Sequence, residues 1–336
     1  MFQEIVLLTV SIIIYTLIYH YKREISQKYN LIDLPNEKRK IHTSPTPIIG
    51  GLIIIIIFFL NMFVYFFLNL TNDLIIILSL SLIFFLVGLI DDIKNLSSYF
   101  RLIFLFLVCY LGLSFSDHLI IKELNFNYNN INFNLGYSSI FITSLTLLLL
   151  VNALNLADGI NGLSTMLLIF WIIYIKFFLF ADFSLSGISL LLIILIIFYH
   201  IYQGKYFMGD SGVTASALII GLLSINSYNV QVTKNIYVEE LFLLFFIPGL
   251  DMFRLFLQRI YNKKNPFVSD NQHLHHLLIK KYKLSYCLIF YFIISFLPLL
   301  IYKNFNVNTL YLILSYTLLY LIMINFFLKK IPQQLT

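Results

Sequence analysis

Charge is what this sequence of 336 residues lacks most: only 11% of it is Asp, Glu, Lys or Arg. A water-soluble globular chain carries roughly 25%. With 60% hydrophobic residues and a mean hydropathy of +0.89, too little polar surface remains to clothe a core. That excludes the soluble class and leaves an integral membrane protein. Cysteine is nearly missing too. The two present, Cys109 and Cys287, lie in apolar segments. They read as small hydrophobes, which excludes a disulfide framework or a cysteine metal site. The first segment, "IVLLTVSIIIYTLIY", has no basic flank before it and no small-residue cleavage site after it. It therefore reads as a retained helix and not as a signal peptide. No soluble domain, low-complexity tract or repeat interrupts the chain, so the expectation is one membrane-embedded domain over residues 1–336.

What is there is a series of apolar runs. A membrane-spanning helix needs about 20 mostly apolar residues, with a range of roughly 17 to 25. Eleven segments qualify: 3–20, 48–69, 74–90, 99–115, 137–153, 163–181, 186–202, 211–227, 238–257, 285–302 and 308–328. The run 211–227 is the weakest, because Ser and Thr interrupt it. The predicted fold is all-α and polytopic, with polar loops between spans. Lys and Arg set the orientation. With the amino terminus outside, eighteen of them fall on cytoplasmic loops, while Lys122, Lys234 and Lys303 stay outside and Lys176 lies in a span. This predicts the amino terminus out and the carboxyl terminus in, with the +6 net charge concentrated on the cytoplasmic face.

The same orientation places five polar runs on that face: "DLPNEKRKIHTSPTPIIGG", "GLIDDIKNLSS", "NALNLADGINGLS", "GKYFMGDSG" and "PFVSDNQHLHHLL". They predict one site at the inner membrane surface. Asp91 and Asp92 are adjacent at the end of the third span. Two neighbouring carboxylates repel, so the pair reads as a divalent-cation or cationic-group site, or as a solvated helix end. Asn152, Asn155 and Asp158 are spaced by three and share a helix side, before an Asp-Gly turn. Their amides suit a sugar or nucleobase edge, and the carboxylate suits proton or metal work; the bland reading is a polar helix end. Asp210 lies between Gly209 and Gly212 at a helix start. There it would bring a metal to phosphate oxygens, or merely cap the helix. His273 and His276 share a helix face, with His275 turned away. With Arg259, Lys263 and Lys264 nearby, this group suits an anion better than zinc, which lacks further ligands at the right spacing. Asp251 and Arg254 form either an ion pair or a wall of the site. His20 and His200, at span ends, read as ordinary interfacial tips, and His118 lies on an outer loop.

Taken in order, these five motifs resemble the polyprenyl-phosphate N-acetylhexosamine-1-phosphate transferases, the family that includes the phospho-MurNAc-pentapeptide translocase and initiators of teichoic acid and O-antigen synthesis. The resemblance covers roughly residues 30 to 280. It implies a multi-pass enzyme of the bacterial cytoplasmic membrane that uses a UDP-aminosugar and a polyprenyl phosphate lipid, with Mg2+ or Mn2+ as cofactor. A homodimer is a further expectation, and nucleic acid is not an expected partner. The implied reaction is attack of the lipid phosphate on the β-phosphorus of the UDP-sugar, giving polyprenyl-diphospho-sugar and UMP. Asp91 and Asp92 resemble the acidic pair, assigned to Mg2+ or to deprotonating the lipid phosphate. Asn152, Asn155 and Asp158 match the "NxxNxxDG" element, and Asp210 the metal-binding Asp. Phe207 is implied to stack on uracil, His273, His275 and His276 to lie by the pyrophosphate, and Lys40 and His42 to form the basic first-loop motif. The pentapeptide translocases carry three consecutive His, whereas this chain has "HLHH", similar to the branch using UDP-N-acetylglucosamine or related sugars. Asn271 stands where a basic residue is common, and the short tail after residue 328 predicts no accessory domain. The alternatives are the pentapeptide transferase itself, an ion-coupled transporter, which would place its acidic groups near mid-membrane, and a non-catalytic scaffold.

Overall fold

The computed structural model describes residues 2–35, 44–68, 71–127, 131–179, 186–230, 236–266, 271–305 and 307–330. Helix makes up 77% of it. Over its described residues each of the eleven apolar segments is mostly helical, yet they are not equivalent. Among the described residues, five helices are long and apolar enough to cross a membrane, and six if a pair bent by 64° near the amino terminus counts as one span.

The chain divides into two compact units. The first comprises Met1–Lys122 and Leu135–Ile236, the second Glu123–Asn134 and Tyr237–Thr336. The first holds α1 (Phe2–His20), α2 (Lys22–Lys28), α3 (Gly50–Leu68), α4 (Asn72–Lys94), α5 (Ser98–Leu113), α6 (Ser139–Ala157), α7 (Leu163–Tyr174), α8 (Ser186–Tyr202) and α9 (Gly209–Val230). A short antiparallel pair, β1 (Ile32–Asp33) with β2 (Thr46–Pro47), joins α2 to α3. Caps set several boundaries. Thr71 accepts from Leu74 N at the start of α4, Ser97 from Phe100 N at the start of α5, and Asn95 closes α4 in the left-handed conformation.

The weakest span in the sequence, α9, is the centre of this unit. Of its most apolar window 78% is buried, and it packs against α3, α4 and α6. Its small residues are the reason. A Cβ on Gly88 of α4 would lie 2.5 Å from Ser211 Cα, and one on Gly212 2.7 Å from Gly51 Cα, so backbones meet where any side chain would clash. Three of its hydroxyls bond carbonyls one turn back in the same helix: Thr214 donates to Asp210 O (2.7 Å), Ser224 to Ile220 O (2.8 Å) and Ser227 to Leu223 O (2.7 Å). Ser and Thr therefore mark close packing here rather than a poor span.

The second unit contains a hairpin, β3 (Glu123–Phe126) with β4 (Ile131–Asn134), that the helical periodicity did not foresee. It also contains α10 (Val238–Leu244), α11 (Phe246–Tyr261), α12 (Leu274–Ile279), α13 (Leu284–Asn304) and α14 (Thr309–Lys330). The predicted span 238–257 is not one helix: it breaks at Phe245. Pro248, in the first turn of α11, has no N–H to offer the carbonyl of Leu244, so continuing α10 would leave that bond unmade. Glu240, only 1% exposed, pairs with Lys303 at 2.6 Å. Cys109 and Cys287 are both buried and free.

Candidate active site

Three of the sequence-predicted carboxylates meet at the start of α9. Asp92, in the last turn of α4, accepts from the backbone N–H groups of Asp210 (2.7 Å) and Ser211 (3.1 Å). It thus satisfies two of the orphan donors at that helix start and ties α4 to α9. Asp91 accepts from Leu96 N (2.6 Å) and pairs with Arg101. The same Arg101 nitrogen lies 3.1 Å from Asp210 Oδ2. One guanidinium therefore bridges Asp91 and Asp210, whose side chains are 6% and 34% exposed. Arg101 was not among the residues singled out in the sequence. The signal was a lone Arg in the first turn of an otherwise apolar helix, ten residues past Asp91.

The "NALNLADGINGLS" run is the end of α6, a turn, and the start of α7. Asn152 and Asn155 are half-buried on the last turns of α6, and Asp158 caps it. Gly162, at φ +88°, begins α7 in a conformation that side chains resist. Asp158 accepts a hydrogen bond from Ser164. Loss of hydration pushes its carboxyl up to about 7; the Ser164 bond opposes this shift and the Asp92 charge adds to it.

Phe207 is half-buried on the segment leading into α9. Its N–H donates to Pro47 O (2.8 Å), and its carbonyl accepts from Gly50 N (2.9 Å); Met208 O accepts from Gly51 N (2.8 Å). Gly209 is left-handed at φ +75°, and a Cβ there would meet Ile48 and the Asp92 carboxylate. The "PTPIIGG" and "FMGDSG" runs are thus one backbone arrangement. Lys40 and His42 lie outside the described residues.

In the second unit the histidines gather around Asp251. Its carboxylate lies 2.8 Å from His273 Nδ1 and accepts from Leu274 N (3.2 Å), Arg254 (3.0 Å) and the Tyr320 hydroxyl. The Asp251–Arg254 choice left open by spacing resolves as an ion pair that also carries His273. Arg254 also donates to Gln272 O (2.7 Å) and, from Nε, to the Tyr320 hydroxyl (3.0 Å). His275 does not turn away from its neighbours. Its ring stacks on His273 (5.5 Å) and lies 4.2 Å from His276, because His273 caps α12 instead of lying within it. His275 is fully buried, and burial drives its pKa well below the ordinary histidine value. His276 is half-buried.

Among the described residues no three His, Cys, Asp or Glu side chains converge on a single metal point. Mg2+ does not require that: it takes one or two carboxylates and completes its shell with substrate phosphates and water. Asp91 and Asp210, hard oxygen donors already converging on a cation, fit such an ion.

The family described as Glycosyl transferase family 4 matches residues 74–228, from α4 to α9. The phospho-N-acetylmuramoyl-pentapeptide-transferase of Petrotoga mobilis is 28% identical over 258 residues, covering 70% of this chain and 76% of that protein. The probable undecaprenyl-phosphate N-acetylglucosaminyl 1-phosphate transferase of Bacillus subtilis is 26% identical over 284 residues, 83% of this chain and 78% of its own. The undecaprenyl-phosphate alpha-N-acetylglucosaminyl 1-phosphate transferase of Escherichia coli K12 is 24% identical over 283 residues, 81% and 75% of the two chains. The family match and these relatives support placing the chain with the polyprenyl-phosphate N-acetylhexosamine-1-phosphate transferases.

Proposed function

We propose that this protein transfers an N-acetyl-aminosugar-1-phosphate, N-acetylglucosamine-1-phosphate in the first instance, from a UDP-sugar to polyprenyl phosphate. UMP is released, and the lipid-linked sugar starts a cell-surface polysaccharide. The observation that carries this reading is the convergence of Asp91 and Asp210 on one cation while Asp92 holds the α9 start in place. Charge that develops on transferring phosphates needs that arrangement.

In this reading an oxygen of the lipid phosphate attacks the β-phosphorus. The bond from that phosphorus to the bridging oxygen breaks, and its electrons leave with UMP. Asp158, with a carboxyl near neutrality, is matched to take a proton at pH 7. Asp91 and Asp92 serve the same lipid phosphate by orienting it, its proton going to Asp158. Arg101 neutralises the carboxylates until anionic substrate arrives. Asp210 and Asp91 would hold Mg2+, which supplies charge neutralisation at the phosphates. Asn152 and Asn155 offer amides to the sugar or uracil edge, and Phe207 a ring face. In the second unit the half-buried His276 is the histidine with surface to offer nucleotide phosphates, His273 and His275 being buried beside it, and Lys40 and His42 of the first loop would add positive charge.

The proposal includes eleven spans, an outer amino terminus and a cytoplasmic carboxyl terminus in the bacterial inner membrane, supported by the Lys and Arg asymmetry. A second reading, transfer of phospho-MurNAc-pentapeptide, is favoured by the Petrotoga relative at 28% identity; the "HLHH" spacing favours the first. Membranes supplied with polyprenyl phosphate and a panel of UDP-aminosugars separate them. UMP release with UDP-N-acetylglucosamine is expected. Release only with UDP-MurNAc-pentapeptide would move the protein to the second reading, and release with neither would reject both.

A further inference from the structure

One polar cluster of the first unit lies outside the chemistry described so far. The α8 helix ends in a Schellman arrangement: Gly204 is left-handed at φ +67°, its N–H bonds Ile201 O (2.8 Å), and Lys205 N bonds His200 O (3.0 Å). That turn reverses the chain and brings the Tyr206 ring parallel to the His200 ring, with centroids 6.3 Å apart. Tyr15 of α1 completes the group. Its hydroxyl lies 2.8 Å from His200 Nδ1 and 3.4 Å from the Tyr206 hydroxyl. Tyr206 is wholly buried and Tyr15 is 4% exposed. A buried hydroxyl without a partner is costly, so these groups constrain one another.

The next residues are Phe207 and, three further on, Asp210. Tyr206 is therefore the outer anchor of a short segment whose other supports are the Pro47–Gly51 backbone and the Asp92 carboxylate. We infer that Tyr15, His200 and Tyr206 are positioning residues that set the Tyr206–Asp210 segment, and through it the Phe207 ring and the Asp210 carboxylate. The inference rests on the roles proposed above for Phe207 and Asp210. It gives α1 a part in the reaction and removes His200 from the ordinary interfacial histidines. Misplacement of a reacting group by fractions of an ångström lowers turnover without touching the chemistry itself.

The test is UMP release from UDP-N-acetylglucosamine by the full-length protein in detergent, with Tyr206→Phe, Tyr15→Phe, the double variant and Tyr19→Phe. Each single variant is expected to lower kcat roughly 5- to 10-fold, the loss of one buried hydrogen bond. The double variant should fall no more than about twofold further, since both remove the same link. The KM for polyprenyl phosphate should stay within about twofold, and Tyr19→Phe, which keeps the ring beside Tyr15, His200 and Tyr206 and removes only a hydroxyl outside the Tyr15–His200–Tyr206 hydrogen bonds, should match the unaltered chain. Should Tyr15→Phe reach the membrane in reduced amount, His200→Phe removes the Tyr15–His200 contact, keeps an aromatic ring there and should lower kcat likewise. Unchanged kcat, additive losses, or an equal loss with Tyr19→Phe would overturn the inference while leaving the transferase reading intact. No UMP from the unaltered chain with any UDP-aminosugar would remove the reading and this inference together.

Discussion

In the first unit the carboxylates are held by partners spread over several side chains and backbone groups, whereas in the second one carboxylate gathers the whole polar cluster around the histidines. Asp91 is fixed by Leu96 N and Arg101, Asp92 by two backbone N–H groups of α9, and Asp158 by Ser164. Asp251 alone gathers Arg254, His273, Leu274 N and Tyr320. Distributed anchoring lets one acidic side chain be changed for its chemistry with little structural loss. A single buried hub couples the chemistry of the histidines to the stability of their surroundings.

Substitutions should expose that difference. The largest effect is expected at Asp210. Asp210→Asn should lower turnover by about 10³ or more while thermal unfolding in detergent stays unchanged, because its side chain is one-third exposed. Chelation by EDTA should silence the unaltered protein and Mg2+ or Mn2+ restore it; full activity in EDTA would end the metal role. His276→Ala comes next, with kcat/KM for the UDP-sugar down about 10² to 10³. The KM for the lipid should move much less, and metal analysis should find no stoichiometric zinc.

A matched pair of stability measurements sharpens the comparison. Asp251→Ala should destabilise by about 3–5 kcal/mol, since it strands a buried guanidinium. Asp92→Ala, which removes a helix-start partner, should cost about 0.5–2 kcal/mol. Equal losses at the two positions would contradict the hub.

The smallest effect concerns pH. With the Asp158 carboxyl pushed up to about 7, the group is protonated and unable to accept a proton below that point. Activity should rise about tenfold per pH unit below it and level off above. In Asp158→Asn, whatever activity remains should lack this limb. A limb that persists there belongs to another group.

Much of this was legible early because it is local. Segment 186–202 and helix α8 share their limits, since a continuous apolar run bounded by polar residues leaves one way to satisfy its backbone in a membrane. The charge asymmetry, the Asp pair and the Asn-Asp spacing likewise need only neighbours along the chain. Other features were hidden. Nothing in "SYFRLIFLFLV" says that its Arg faces a carboxylate 109 positions later. Lys40 and His42 stay where the sequence left them, outside the described residues.

The sequence by itself determined the membrane class, the helical segments and the residue types of the site, because hydropathy and periodicity act residue by residue. Tertiary structure decided that Ser- and Thr-rich α9 lies at the centre of its unit, that Arg101 bridges Asp91 and Asp210, that His275 is buried among its neighbours, and that His200 answers to Tyr15 and Tyr206. Each depends on how closely two backbones approach. That distance is set jointly by glycines and side chains from helices far apart in sequence, so no single segment encodes it.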